Sequence, residues 1–188
     1  VSALIINALM LISLVMDWQH NYLPQGEYIV LPIIFNKAFL TSIVSIISLA
    51  SSFFILNKEE DEYFYKSFKV KWLQNILGST FLVVLYFGVL FELNYQSLRA
   101  EFSNTHRIIL IGIYNYLFLI ALTIFEKIKN NEKFKQFISI LTIPLLFSYL
   151  TFYLAQIATA RNLMLRGEIE KTTGFYLHYI LLVLFILL

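Results

Sequence analysis

Cysteine is absent from this sequence and charge is sparse: Asp, Glu, Lys and Arg together make up 14% of its 188 residues. The first absence excludes disulfides, a thiolate nucleophile, and iron–sulfur or cysteine-type zinc sites. A histidine-based metal site is only just possible with three histidines, and His20, His106 and His178 show no His-x-x-x-His or similar spacing, so neither a metal nor another cofactor is expected. So little charge cannot cover the surface of a water-soluble domain. The net charge of +2, with fourteen basic residues spread over five loops, offers no patch for nucleic acid, and that partner class is excluded. Missing too are a Gly-rich phosphate loop, a nucleophile elbow and closely paired acids.

What the chain has instead is apolar surface. Hydrophobic residues make up 59%, aromatic residues 17%, and the mean hydropathy is +0.74. The clearest run is Trp72 to Gln96, in which Leu73 to Phe91 carries no charge. At ~1.5 Å per residue, roughly 20 residues cover the ~30 Å hydrocarbon core of a bilayer, which puts Glu92 near the far interface. The whole reads as one all-α segment over residues 1–188, a polytopic transmembrane helix bundle with four complete spans and two truncated ones.

The truncated spans are the ends. Val1 to Met16 starts inside an apolar run with no initiator Met, basic n-region or small-residue cleavage site, so it does not read as a signal peptide. Phe175 to Leu188 stops after 14 residues without a charged or aromatic flank. The expectation is an internal piece of a longer protein, whose flanking helices would be partners of this one together with the lipid bilayer.

The complete spans are Ala38 to Leu56, Trp72 to Gln96, Arg107 to Phe125 and Phe137 to Gln156. The loop Asp17 to Lys37 before the first of these holds the breakers Pro24, Gly26 and Pro32, and Trp18, Tyr22 and Tyr28 suit an interface. Thr41, Ser45, Ser48 and Ser52 recur at helical spacing. They fit a close-packing seam of small residues better than a hydrated path. Gly112, Asn115, Leu119 and Thr123 share one side of the next-to-last complete span, where an unpaired amide would be costly, so Asn115 is expected to bond a neighbouring helix. Pro144 removes the hydrogen bond to the carbonyl of Ile140, which predicts a kink, and Ser148, Thr151 and Gln156 could satisfy freed backbone groups. The acidic run Glu59 to Glu62 lacks the alternating spacing and turn glycine of an EF-hand and reads as a solvated turn. Residues 157–173 are expected as a loop that can hold a short surface helix.

The string Asn36-Lys37-Ala38-Phe39-Leu40-Thr41-Ser42, after a proline-containing apolar entry and before a small-residue helix and a basic loop, resembles the large polytopic membrane proteins of bacterial envelopes grouped as domain-of-unknown-function class 2339. The resemblance implies an all-helical, many-span protein of a bacterial inner membrane, several times longer than this chain. It brings no catalytic residues to carry over.

The remaining chemistry gathers at Glu92. If the helix continues, Glu92, Gln96 and Arg99 lie at i, i+4 and i+7 on one face. Such an acid could act as general acid or base in a membrane-embedded transferase on a lipid-linked or glycan substrate, with Arg99, Arg161 and Arg166 holding a phosphate. It could instead be the proton-linked carboxylate of a transporter whose polar path uses Ser45, Asn115, Ser148 and Thr151. The plainer reading, and the preferred one, pairs Glu92 with Arg99 or Arg107 as a helix-end anchor within a structural or scaffold segment.

Orientation follows from lysine density. Loops 57–71 and 126–136 hold four Lys each, against one, two and three Lys or Arg in the longer loops 17–37, 92–107 and 157–173, so the dense pair is expected in the cytoplasm. Cysteines introduced at Ser67 and Asn130 in intact cells should therefore resist a membrane-impermeant thiol reagent, while those at Gln25 and Ser103 label. The opposite labelling pattern would invert the topology.

Overall fold

Out of water, a backbone can satisfy its N–H and C=O groups only within itself, and each long apolar run of this chain accordingly folds as a helix. The computed structural model describes residues 2–22, 31–58, 63–64, 68–167 and 173–188. Its helices are α1 (Ser2–Tyr22), α2 (Lys37–Leu56), α3 (Val70–Arg99), α4 (Asn104–Lys129), α5 (Glu132–Ser148), α6 (Leu154–Leu165) and α7 (Thr173–Leu187). A π-helical turn, Tyr149–Tyr153, joins α5 to α6 in one rod. Between α2 and α3, β1 (Tyr63–Phe64) and β2 (Phe68–Lys69) pair antiparallel, Tyr63 opposite Lys69 and Phe64 opposite Phe68, a small hairpin that periodicity did not announce. The acidic run Glu59 to Glu62 lies outside the described residues, as do Pro24, Gly26 and Tyr28.

The all-α expectation holds, and the molecule is an integral membrane protein. Five helical stretches are long and apolar enough to cross a bilayer: Ser2–Tyr22, Lys37–Leu56, Val70–Arg99, Asn104–Ile128 and Glu132–Leu165. The count differs from the expected four because α1 does not stop at Met16. Asp17 is buried and finds the Thr41 hydroxyl at 2.8 Å and the Lys37 ammonium at 2.9 Å, so the acid stays in the helix, which runs on to 21 residues. Residues Ile157 to Leu165, expected as loop, continue the α5–α6 rod. Pro144 sits inside α5 without interrupting it. The departure from α geometry lies further on, where the Leu154 N–H reaches back to the Tyr149 carbonyl.

The chain packs as two compact units, Val1–Gln96 and Ser97–Leu188. In the first, α2 buries Ala38, Ser42, Ser45, Leu49, Ser52 and Leu56, alternating steps of four and three that make one continuous seam. Small residues along that seam let α1 approach closely, and polar bonds then cross it. Asn7 Nδ2 donates to Ser52 Oγ at 2.7 Å, the Ser48 hydroxyl donates to Asn7 Oδ1 at 2.8 Å, and Trp18 Nε1 donates to Ser42 Oγ at 2.9 Å. Partner numbers on α2 fall as those on α1 rise, so the two form an antiparallel hairpin. The hydroxyl stripe is thus the packing seam expected. Gln74 Nε2 donates to the Leu56 carbonyl at 2.9 Å, and a Cβ on Gly88 would stand 3.1 Å from that of Ser42, so α3 runs antiparallel to α2 as well.

In the second unit the buried stripe of α4 is Ile109, Gly112, Ile113, Tyr116 and Leu119, one face at helical spacing. Tyr116, fully buried, donates to the Leu145 carbonyl at 2.8 Å. Tyr149 stacks on Phe185 of α7 with centroids 4.2 Å apart. Asn115 bonds across helices as expected, its Nδ2 3.3 Å from Tyr153 Oη. Tyr153 lies in the π-helical turn, and its ring fills the space where Gly112 lacks a side chain.

A Cβ at Gly112 would come within 2.6 Å of Tyr153 Cε1, whereas one at Gly78 would meet nothing closer than 3.6 Å. Gly112→Ala should therefore destabilise the protein by about 2 kcal/mol, the usual cost of overpacking, while Gly78→Ala is neutral or slightly stabilising through helix propensity. Thermal unfolding in detergent measures both; equal tolerance of the two substitutions would contradict this packing.

Candidate functional site

The end of α1, the start of α2 and the body of α3 meet around Glu92 in the first unit. Tyr22 closes α1, Asn36 caps the start of α2, and Glu92 follows the uncharged stretch of α3. Asn36 is a helix N-cap because its side-chain oxygen can accept the orphan N–H of Phe39, here at 2.9 Å. That leaves its amide nitrogen to donate elsewhere, and it donates to Glu92 Oε2 at 2.7 Å and to the Pro32 carbonyl at 3.2 Å.

The Glu92 carboxylate is 7% exposed and accepts four hydrogen bonds. Oε2 takes the Tyr22 hydroxyl at 2.7 Å besides Asn36, and Oε1 takes the Ile34 N–H at 3.0 Å and Gln96 Nε2 at 2.9 Å. Tyr22 Oη also lies 3.3 Å from Asn36 Oδ1, but a phenol has one proton and the shorter bond to the carboxylate holds it. Two bonds on each oxygen fill the lone-pair positions of a carboxylate. The four donors are uncharged and come from α1, the segment before α2, and α3 itself.

The Ile34 bond carries a conformational cost. Ile34 has φ 65, and the Phe35 N–H bonds the Ile33 carbonyl at 2.7 Å, so Ile34 is the centre of a tight i to i+2 turn. Positive φ is rare for a β-branched residue and stores on the order of 1–3 kcal/mol. The turn aims the Ile34 N–H at Glu92, and a second tie, the Leu31 N–H to Tyr95 Oη at 3.1 Å, holds the same segment against α3. Aromatic rings wall the cluster: Trp18 meets Phe91 edge-on at 5.1 Å, and Tyr22 lies 5.9 Å from Tyr95. Beside them is an apolar groove of about 170 Å³ lined by Val15, Trp18, Tyr22 and Phe91.

Asp17, also 7% exposed, grips the start of α2 from α1 through Lys37 and Thr41. Both acids therefore sit at the N-terminus of α2, where the helix dipole favours negative charge.

The other residues expected at a site lie elsewhere. Arg99 is exposed in the last turn of α3, and Arg161 and Arg166 are exposed on α6 and at its C-cap in the second unit. None of the three, nor Arg107, is among the four donors to Glu92, so the ion-pair anchor expected of Glu92 is replaced by uncharged donors that reach a buried acid. His20 is exposed, His178 bonds the Phe175 carbonyl of its own turn, and His106 is buried with no partner for Nε2 among the described residues. Among those residues no three His, Asp or Glu side chains gather as a metal site. Of the polar-path candidates, Ser148 and Thr151 bond their own helix at Leu145 and Phe147, and Ser45 Oγ is buried without a partner among the described residues.

Sequence reasoning reached Glu92 and Gln96 but missed Tyr22, Ile34 and Asn36 as its partners. Asn36 had a usable signal, an N-cap residue directly before an apolar run. No family model, curated protein or solved structure matches the chain.

Because Asn36 serves both the N-cap and the carboxylate, Asn36→Ala should cost about 3 kcal/mol, against about 1 kcal/mol for Tyr22→Phe, which loses one bond. Double variants with Glu92→Gln should be clearly non-additive, since all three residues share one network. Additive effects in thermal unfolding would mean the contacts act independently.

Proposed function

We propose that this chain is a structural or scaffold segment of a larger membrane protein of the bacterial inner membrane, with the class 2339 proteins as its kin and loops 57–71 and 126–136 in the cytoplasm. The observation that carries this reading is the saturation of Glu92: its four acceptor positions are filled from its own fold. A general base needs a lone pair directed at substrate, and a proton-coupled carboxylate needs a route for its proton. Glu92 instead fastens the end of α1 and the start of α2 to α3, which is work that a scaffold requires. Other polar side chains of the bundle support the same reading, since Asn7, Asn115 and the α2 hydroxyls of Thr41, Ser42, Ser48 and Ser52 bond across or along helices.

Glu92→Gln separates this reading from the enzyme and transporter readings. An amide in that position presents two N–H groups where two donors already point, which should destabilise the protein by about 2–4 kcal/mol. With the variant expressed in its native membrane, any cellular defect should track the loss of folded protein and recede at lower growth temperature. A complete defect with the folded amount unchanged would mark Glu92 as a working carboxylate.

A further inference from the structure

Of the three histidines, only His106 is shut inside the fold. It is 3% exposed, and its Nε2 has no hydrogen-bond partner among the described residues. It stands just before the apolar stretch Arg107 to Phe125, in the first turn of α4, where Ser103 caps the helix by accepting the His106 N–H at 3.3 Å.

The joint that leads into this turn, all of it within the second unit, is strained. The Phe102 N–H bonds the Ser97 carbonyl at 3.2 Å and the Glu101 N–H bonds the Leu98 carbonyl at 3.0 Å, the paired bonds of a Schellman closure at the end of α3. The left-handed position of that closure suits glycine, yet Glu101 occupies it at φ 56. A residue with a Cβ resists this conformation, so the backbone favours opening. What opposes it, besides those bonds, is the buried first turn of α4, with Thr105 and His106 at 7% and 3% exposure.

A charged imidazole does not suit that place. It would carry an N–H on Nε2 with no acceptor, at the positive end of the α4 dipole and beside the Arg107 cation. Arg99 and Glu101 of the joint are exposed. Among the described residues packed against α4, the π-helical turn brings Tyr149 and Tyr153, α6 and its cap bring Arg161 and Arg166, and α7 brings His178. The charges of α5 stand in its first turn, beside the far end of α4. None of these groups pairs with His106, and burial alone acts on its titration, holding it below the ordinary histidine value.

We propose that His106 is an acid-sensitive latch on the joint between α3 and α4. Above about pH 6.5 the ring is neutral and stays buried, and the joint is closed. Once in water, the ring binds a proton with the ordinary affinity of a histidine, whereas the closed form resists it, so falling pH draws the joint open. Opening moves His106 into solvent, frees the Ser103 cap and lets Glu101 leave the left-handed region. One proton gained on opening raises the open fraction about tenfold between pH 7.5 and pH 5.5.

Hydrogen exchange of the purified protein in detergent micelles, corrected for the intrinsic pH dependence of exchange, tests the latch. The Phe102, His106 and Arg107 amides, which bond Ser97 and Ser103, should lose about tenfold in protection from pH 7.5 to pH 5.5, while those from Ile113 to Leu119 keep theirs. His106→Leu should remove this pH dependence, whereas His20→Gln and His178→Gln should leave it intact. Ring resonances of the protein labelled with 15N-histidine give a readout that needs no variant: the His106 ring should charge over the same range in which protection falls. Protection that holds down to pH 5.5, an equal loss in His106→Leu, or a His106 ring that charges while the joint stays closed would each overturn the proposal.

Discussion

A polar atom placed among apolar helices has no water to fall back on, so whatever bond it needs must be built into the fold. In the first unit that demand falls hardest on Glu92, an acid at 7% exposure. Its position follows from the length of the uncharged stretch before it, and its four partners follow from its position. Tyr22 has to end α1 at the same level, Asn36 has to cap α2 there, and the segment before α2 has to turn sharply enough to present the Ile34 N–H. The extension of α1 past Met16 belongs to the same arrangement, because a helix that stopped at Asp17 could not deliver Tyr22 to the carboxylate.

The second unit meets the demand with tyrosines. Tyr116, Tyr149 and Tyr153 pack their rings together, and the hydroxyls of Tyr116 and Tyr153 reach the Leu145 carbonyl and the Asn115 amide. A tyrosine suits this use because its ring fills volume while its one polar atom sits at the tip, where a single partner satisfies it. Leu145 directly follows Pro144, so Tyr116 and the Ser148 hydroxyl both bond the backbone just beyond the residue that cannot donate. Further along the rod, the π-helical turn places Tyr153 over Gly112.

The helices were legible in the sequence because their signal is local: a run of apolar residues as long as a bilayer is thick. Ends were less legible, and Asp17 shows why. An acid after an apolar run reads as an exit from the membrane unless its partners are known, and Thr41 and Lys37 lie on another helix. Glu92 stood out for the opposite reason, as the first charge after a long uncharged stretch. The nature of its environment was hidden, since three of its four donors are distant in sequence and one is a backbone N–H that only a positive φ at Ile34 directs inward. The packing stripe on α2 could be read because steps of three and four are written in the chain itself.

The Glu92 network touches α1, α2 and α3 at once, and this decides what a change there can do. Removing an exposed ion pair would affect one helix end and contribute little. Loosening a buried carboxylate that holds Tyr22, Asn36 and the Ile34 turn together would leave several donors unsatisfied at one stroke, each at a cost of about 1–3 kcal/mol. It would also release the strain that the Ile34 bond and the Tyr95 tie oppose, so the segment from Leu31 to Asn36 would relax and the cap of α2 with it. Glu92 is therefore more than one contact among many in the bundle: it is the point through which the end of α1 and the start of α2 are held in register against α3, and they loosen together.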